Sequence, residues 1–190
     1  MWMEPMEEWV LLAAMAAMIL AAITWTRAKK AELLALQADG CRLAGRVEEG
    51  VKDHERALAL NPGNGVSRRW LAMGLVELGR HEAAMALLDP LLKEDDSQAR
   101  LWAARGMSHL GLGRAREALL DLDVAVRLDA KVAMSHYQRA KALEVLERPD
   151  EAEQALKLAL KLGLEGKDAD EVKQRLRALQ AQRPWWRRLF

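Results

Sequence analysis

Residues 65–98, GVSRRWLAMGLVELGRHEAAMALLDPLLKEDDSQ, and residues 99–132, ARLWAARGMSHLGLGRAREALLDLDVAVRLDAKV, carry one pattern twice. Laid one over the other, Gly79-Arg80 falls on Gly113-Arg114, Ala84 on Ala118 and Leu88 on Leu122. The register extends both ways at a constant step of 34 residues, marked by Arg46, Arg80, Arg114 and Arg148. Gly45, Gly79 and Gly113 precede the first three, and Glu147 stands in the fourth place. Four residues after each Arg comes Gly50, Ala84, Ala118 or Ala152, and eight after it His54, Leu88, Leu122 or Leu156. A period of this length means one supersecondary unit copied four times, and it points toward binding rather than chemistry.

Cutting at that step gives units 31–64, 65–98, 99–132 and 133–166, each predicted as two amphipathic helices of about 14 residues with a tight turn at the Gly-Arg pair. The first helix carries a small residue at its eighth place: Ala38, Ala72, Gly106 and Ala140. The second carries the small residue after the Arg. Small residues there let paired helices cross closely, and the Leu side chains fill the groove between pairs. Ala, Leu, Arg and Glu dominate the composition while Phe and Tyr occur once each, which suits helices and not sheets. Pro90 falls inside a predicted second helix, where it removes a backbone donor and is expected to kink it. After Gly166, a helix over about 168–182 sets Val172, Leu176 and Leu179 on one face with charges elsewhere, as a stack needs where it meets water.

The pattern resembles the tetratricopeptide repeat family over residues 31–166. The family's large residue at place four is matched by Trp102 and less well by Leu34, Arg68 and His136; its closing Pro occurs once, as Pro62 in ALALNPGN. Gly50, His54 and Pro90 depart from it. The resemblance implies an all-α, right-handed α-solenoid of four helix-turn-helix repeats with a capping helix at 167–182. In that family places two, five, nine and twelve of each first helix line a concave groove. Carried over, they give Val66, Arg69, Met73, Val76, Arg100, Ala103, Met107, Leu110, Met134, Tyr137, Lys141 and Glu144. Flexible Met beside Arg69, Arg100 and Lys141 suits a peptide with apolar anchors and an acidic group; ordinary inter-repeat packing would use several of the same residues. The clamp that docks chaperone tails in this family requires Lys, Asn, Asn, Lys and Arg. Its places fall on Ala35, Asp39, Trp70, Arg100 and Ala104 or, one unit later, on Arg69, Met73, Ala104, Met134 and Gln138, so that function is not expected.

Ahead of the repeats, 9–26 reads as a membrane span. From Trp9 to Trp25 runs WVLLAAMAAMILAAITW, without charge, Gly or Pro. Seventeen helical residues cover about 25 Å, the short end of what a bilayer core requires, and Trp9 and Trp25 fit the aromatic belts. The start MWMEPMEE lacks the positive region of a secretory signal, and no small-residue cleavage site precedes the basic cluster. Glu4, Glu7 and Glu8 lie before the span and Arg27, Lys29 and Lys30 after it. By the positive-inside rule, residues 1–8 are extracytoplasmic and the repeats cytoplasmic, in a single-pass protein of a bacterial inner membrane. Ala13, Ala17 and Ala21 form a small-residue stripe that would let two such helices approach, though Ala-rich filler explains it as well. No Gly or Pro interrupts residues 6–39, so the span is expected to run unbroken into the first repeat helix.

Chemistry has little to work with. Lys+Arg total 29 against 28 Asp+Glu, so charge argues for no nucleic-acid partner. His54, His81, His109 and His136 are out of step with the repeat and lack a completing ligand set, so no metal or other cofactor is expected. Nucleophile elbows, phosphate loops and paired carboxylates are absent from the sequence, and no enzyme is expected. Cys41 reads as a free thiol in a reducing compartment. The tail 183–190, RPWWRRLF, joins Pro184 to Trp185, Trp186, Arg187 and Arg188; it suits the cytoplasmic leaflet, or docking on a partner or on the solenoid. The combined expectation is a membrane-anchored adaptor or assembly scaffold that holds a protein segment in its groove. A periplasm-facing factor of cytochrome or envelope assembly, an import receptor and a self-associating scaffold share the layout.

Overall fold

The computed structural model describes residues 5–182, and among them it holds nine α-helices and no strand. They are α1 (Pro5–Leu43), α2 (Val47–Leu60), α3 (Gly65–Glu77), α4 (His81–Glu94), α5 (Ala99–Gly111), α6 (Ala115–Leu128), α7 (Ala133–Val145), α8 (Pro149–Lys161) and α9 (Gly166–Gln182). The second helices α2, α4, α6 and α8 begin 34 residues apart, as do the first helices α3, α5 and α7. By clustering of contacts the chain forms two compact units, 1–74 and 75–190, divided within α3.

The joints explain the period. Gly79 and Gly113 have φ near +70°, and the next residue's N–H reaches back five positions, Arg80 to the Leu75 carbonyl and Arg114 to that of His109, each at 2.8 Å. Gly79 and Gly113 also donate to the carbonyls of Val76 and Leu110. These paired bonds close a helix C-terminus by the Schellman arrangement, which needs a left-handed residue and so prefers Gly. The following Arg is then the N-cap of the next helix at all four joints, Arg46, Arg80, Arg114 and Arg148. One dipeptide ends one helix and starts another.

In the first unit α1 is a single helix, and every residue from 12 to 30 is exposed. Burial begins at Ala31 and continues with Ala35, Ala38 and Cys41, which pack on α2. The first repeat helix is therefore the last third of a longer rod, as the unbroken run of helix formers implies. On α2, Gly50, Val51, Asp53, His54 and Ala57 are buried, so His54 occupies the core position that Leu holds elsewhere. A Cβ on Gly74 would lie 2.6 Å from Val51 Cγ2, so α3 lies directly against α2.

In the second unit α5 pairs with α6 and α7 with α8, while α4 packs on α5, α6 on α7 and α8 on α9. A continuous core joins Ala118, Leu122, Ala140, Leu143, Ala152, Leu156 and Val172. A Cβ on Gly106 would approach Leu122 Cγ to 2.7 Å, which explains the small residue at that place of α5. Helix α9 buries Val172 and lays Leu176 and Leu179 against the core; it begins at Gly166, slightly ahead of the expected 168. Pro90 does not interrupt α4, which runs on to Glu94.

Candidate partner-binding face

Charged side chains lock the second unit from repeat to repeat. The Arg105 guanidinium of α5 donates twice to the buried Asp121 carboxylate of α6, at 2.7 and 2.8 Å, and once to Asp89 of α4 at 3.1 Å. Hydrogen bonding to Asp121 raises the Arg105 pKa above its already high ordinary value. The same guanidinium lies 4.8 Å from the Trp102 ring centroid. One repeat on, Arg139 of α7 pairs with Asp123 of α6, the periodic equivalents of Arg105 and Asp89.

Place four has a definable role. Trp102 Nε1 donates to the Asp96 carbonyl at 2.7 Å, and His136 Nε2 lies 2.9 Å from the Ala130 carbonyl. Both reach six residues back into the preceding loop, and both pairs are one period apart. His136 is thus a structural equivalent of Trp102. Among the described residues no group of three or more His, Cys, Asp or Glu is placed to hold a metal ion. The loops show a further period that the pattern of Gly, Ala and Leu did not reveal. Asn61, Asp95 and Asp129 each accept, through the side-chain oxygen, the N–H two residues ahead. Asn and Asp at a step of 34 carry the signal for these Asx turns.

The groove residues differ in their surroundings. In the first unit Arg69 and Met73 are half-buried on α3. In the second, Arg100 is exposed and Met107 and Lys141 are half-buried. Leu110 and Met134 pack against the core, and Val76 is 6% exposed, so these three contribute structure. Tyr137 is only 2% exposed and hydrogen-bonded to Glu171 of α9. Burial, then the Glu171 bond, pushes the phenol pKa well up; the Tyr137 bond, then Arg175, holds the Glu171 carboxyl low. Arg175 bonds Glu171 at 2.8 and 2.9 Å and also binds Glu144 of α7, while Lys141 Nζ lies 5.5 Å from the Tyr137 ring. Helix α9 therefore occupies the flank of α7 on which an incoming segment would lie. Arg100 and Met107 are the expected groove residues of this unit left available together on α5.

At the other end of the chain, the stretch Leu12–Cys41 of α1 is long and apolar enough to cross a membrane. The exposed Trp25 and the cations Arg27, Lys29 and Lys30 follow its most apolar part. The side chain of Trp9 and the whole tail with Trp185, Trp186, Arg187 and Arg188 lie outside the described residues.

Paired helices, Schellman joints and recurring Arg–Asp locks define a repeat protein of the tetratricopeptide class. The tetratricopeptide repeat family model matches residues 42–107, and the described residues have the fold of tetratricopeptide repeat proteins. Solved structures share the fold. A thermophilic tetratricopeptide protein of Thermus thermophilus is 24% identical, with TM-score 0.66, over 80% of this chain and 81% of that one. MamA from Desulfovibrio magneticus RS-1 is 16% identical, with TM-score 0.62, over 70% and 75%. MamA of AMB-1 is 23% identical, with TM-score 0.58, over 70% and 78%. No curated protein matches the chain.

Proposed function

We propose that the chain is a single-pass membrane-anchored adaptor whose repeats, 31–166, hold a segment of a protein partner beside the bilayer. One observation carries this reading: α1 joins a fully exposed apolar segment to the first repeat helix without a break. A helix that is apolar all round and uncovered suits an apolar environment, which a bilayer core supplies. Tethering then raises the local concentration of repeats for membrane-bound partners, with no new contact required. Arg27, Lys29 and Lys30 favour the cytoplasmic side of a bacterial inner membrane for the repeats. The partner segment is a peptide with an apolar anchor and an acidic group, received by Met107 and Arg100 in the second unit. A scaffold role in assembling a membrane or envelope complex fits this layout.

A photoreactive residue at Met107 in living cells, with Arg100 kept, tests the reading, since Tyr137 is buried and reports on α9 instead. Crosslinks to one membrane or membrane-associated protein, lost when Arg100 is reversed in charge, are expected. A phosphatase or β-lactamase reporter placed after Lys30 decides the side: activity on the periplasmic face would transfer the proposal to an envelope-facing assembly factor.

A further inference from the structure

Past the cations Arg27, Lys29 and Lys30, α1 keeps two large apolar side chains in the open. Leu33 and Leu36 are 61% and 63% exposed, and a Cβ added at Gly40 would meet nothing within 4 Å. The first helix of a repeat stack needs a polar outer face at this place. Ala31, Ala35 and Ala38, which pack on α2, lie on the opposite side of the helix, so α2 leaves this side uncovered.

Leu33, Leu36 and Gly40 are three and then four residues apart, and the same alternation continues backward. Thr26 and Lys29 hold the next places among the cations. Leu12, Met15, Ile19 and Ala22 hold those before them in the apolar segment, and all are exposed. Inside that segment every side is apolar, so Leu33 and Leu36 set the phase. The result is a seam of four heptads over 12–40. Its spacing of 3.5 is the period at which two helices wrap around each other. Lys29 is the one charge on the seam, and Glu32 of the same helix pairs with it at 2.9 Å. A single polar place in such a seam fixes register, and the small Ala22 and Gly40 let backbones approach.

Whatever covers the seam must match it both inside and outside the bilayer. Lipid covers the part up to Ala22, but Leu36 and Gly40 lie about 9 and 15 Å beyond Lys30 along the helix. A soluble segment reaches 33–40 and no further. A second α1 in the same membrane matches every level, because a two-fold axis along the membrane normal sets Ile19 on Ile19 and Leu33 on Leu33. We propose that two copies of the chain pair in parallel through residues 12–40 of α1. The pairing rests on the membrane-anchored reading, since the shared bilayer is what aligns the copies. Each pair offers two repeat stacks, so a partner with two binding segments is held by a gain in effective concentration that one stack lacks.

Disulfide trapping of the full chain in native membranes, in a Cys41→Ser background, tests this. Thr26→Cys, Leu33→Cys and Leu36→Cys, on the seam, are expected to give a band of twice the chain mass after brief oxidation. Thr24→Cys and Ala28→Cys, exposed but off the seam, are expected to stay monomeric. Copies with short and long tags, expressed together, should add a mixed band. Leu33→Glu with Leu36→Glu, both at exposed places, should lower the Thr26→Cys dimer to the level of Ala28→Cys, with circular dichroism unchanged. Should that pair lose helix, Leu33→Ala with Leu36→Ala gives the same readout. A dimer indifferent to both Leu, equal trapping on and off the seam, or a band of another mass would overturn the pairing. So would the absence of trapping in carbonate-resistant membranes, and the anchor would then still stand. Recovery of the chain in the carbonate supernatant would instead remove the anchor, and the pairing with it.

Discussion

Glu147 takes the left-handed backbone position, φ 57°, that Gly45, Gly79 and Gly113 take at the other joints. A side chain there costs roughly 1–2 kcal/mol, so Glu147→Gly should stabilise the protein by about 0.5–1 kcal/mol once the greater freedom of the unfolded Gly is subtracted. Gly113→Ala should destabilise it by about 0.5–1 kcal/mol by the same sum, because nothing crowds its Cβ and only the backbone objects. Urea unfolding of both variants checks the pair, and equal midpoints would show that these joints carry no backbone strain. The recurring Gly was legible in the sequence, but the reason for the Arg after it was not. Its N–H closes one helix while its carbonyl opens the next, as in the 3.0 Å bond from Ala118 N to Arg114 O. Nothing in that role names a side chain. His136 shows the opposite limit: it reads as a weak match for the large residue at place four, yet it makes the hydrogen bond of Trp102. His136→Phe should cost about 1 kcal/mol, the worth of one such bond, and His136→Trp should recover it.

Between elements, the heaviest single commitment is Arg105. Its partner Asp121 is 6% exposed, so Arg105→Ala leaves a nearly buried carboxylate without its guanidinium, with His109 3.7 Å away. A loss of about 3 kcal/mol is expected from thermal or urea unfolding, with a substantial part returned by Asp121→Leu in the same chain. Additive single and double variants would mean that the two charges do not depend on each other. Acid behaviour tests the α7–α9 contact. The Glu171 carboxyl is held low in the folded state by Tyr137 and Arg175, so its stabilising effect is present above the ordinary Glu value of 4.5 and fades as pH falls through and below it. Glu171→Gln should therefore flatten the acid limb of the stability curve and leave its neutral part least dependent on pH. None of these contacts was legible from the period alone. Arg105–Asp121 spans 16 residues across two helices, and only the crossing that Gly106 permits brings the two within reach. Tyr137 reads as a groove residue because place five faces inward, and α9 then covers it, a consequence of tertiary packing beyond the last repeat.

For the molecule as a whole, helix count and order were legible because burial repeats at a fixed step, whereas the site depends on what is left uncovered, which no repeat specifies. The apolar part of α1 is one such surface, exposed from Leu12 onward, and its energetics permit a decisive test. Val10, Leu11, Leu12, Ile19, Leu20 and Ile23 together favour insertion by about 2–4 kcal/mol, while one Arg at the helix centre costs about 2.5–3.5 kcal/mol. These figures nearly cancel, so a single central charge should decide where the protein resides. Ala17 sits midway between Trp9 and Trp25, and it is exposed, so Ala17→Arg removes no contact within the protein. The variant should move from the carbonate-resistant membrane fraction to the supernatant with its far-ultraviolet helix signal from the repeats intact. Ala17→Leu, adding apolar surface at the same place, should stay with the membrane. Retention of Ala17→Arg in carbonate-washed membranes would mean that α1 is not what holds the chain there, and the tethered-adaptor reading would fall with it.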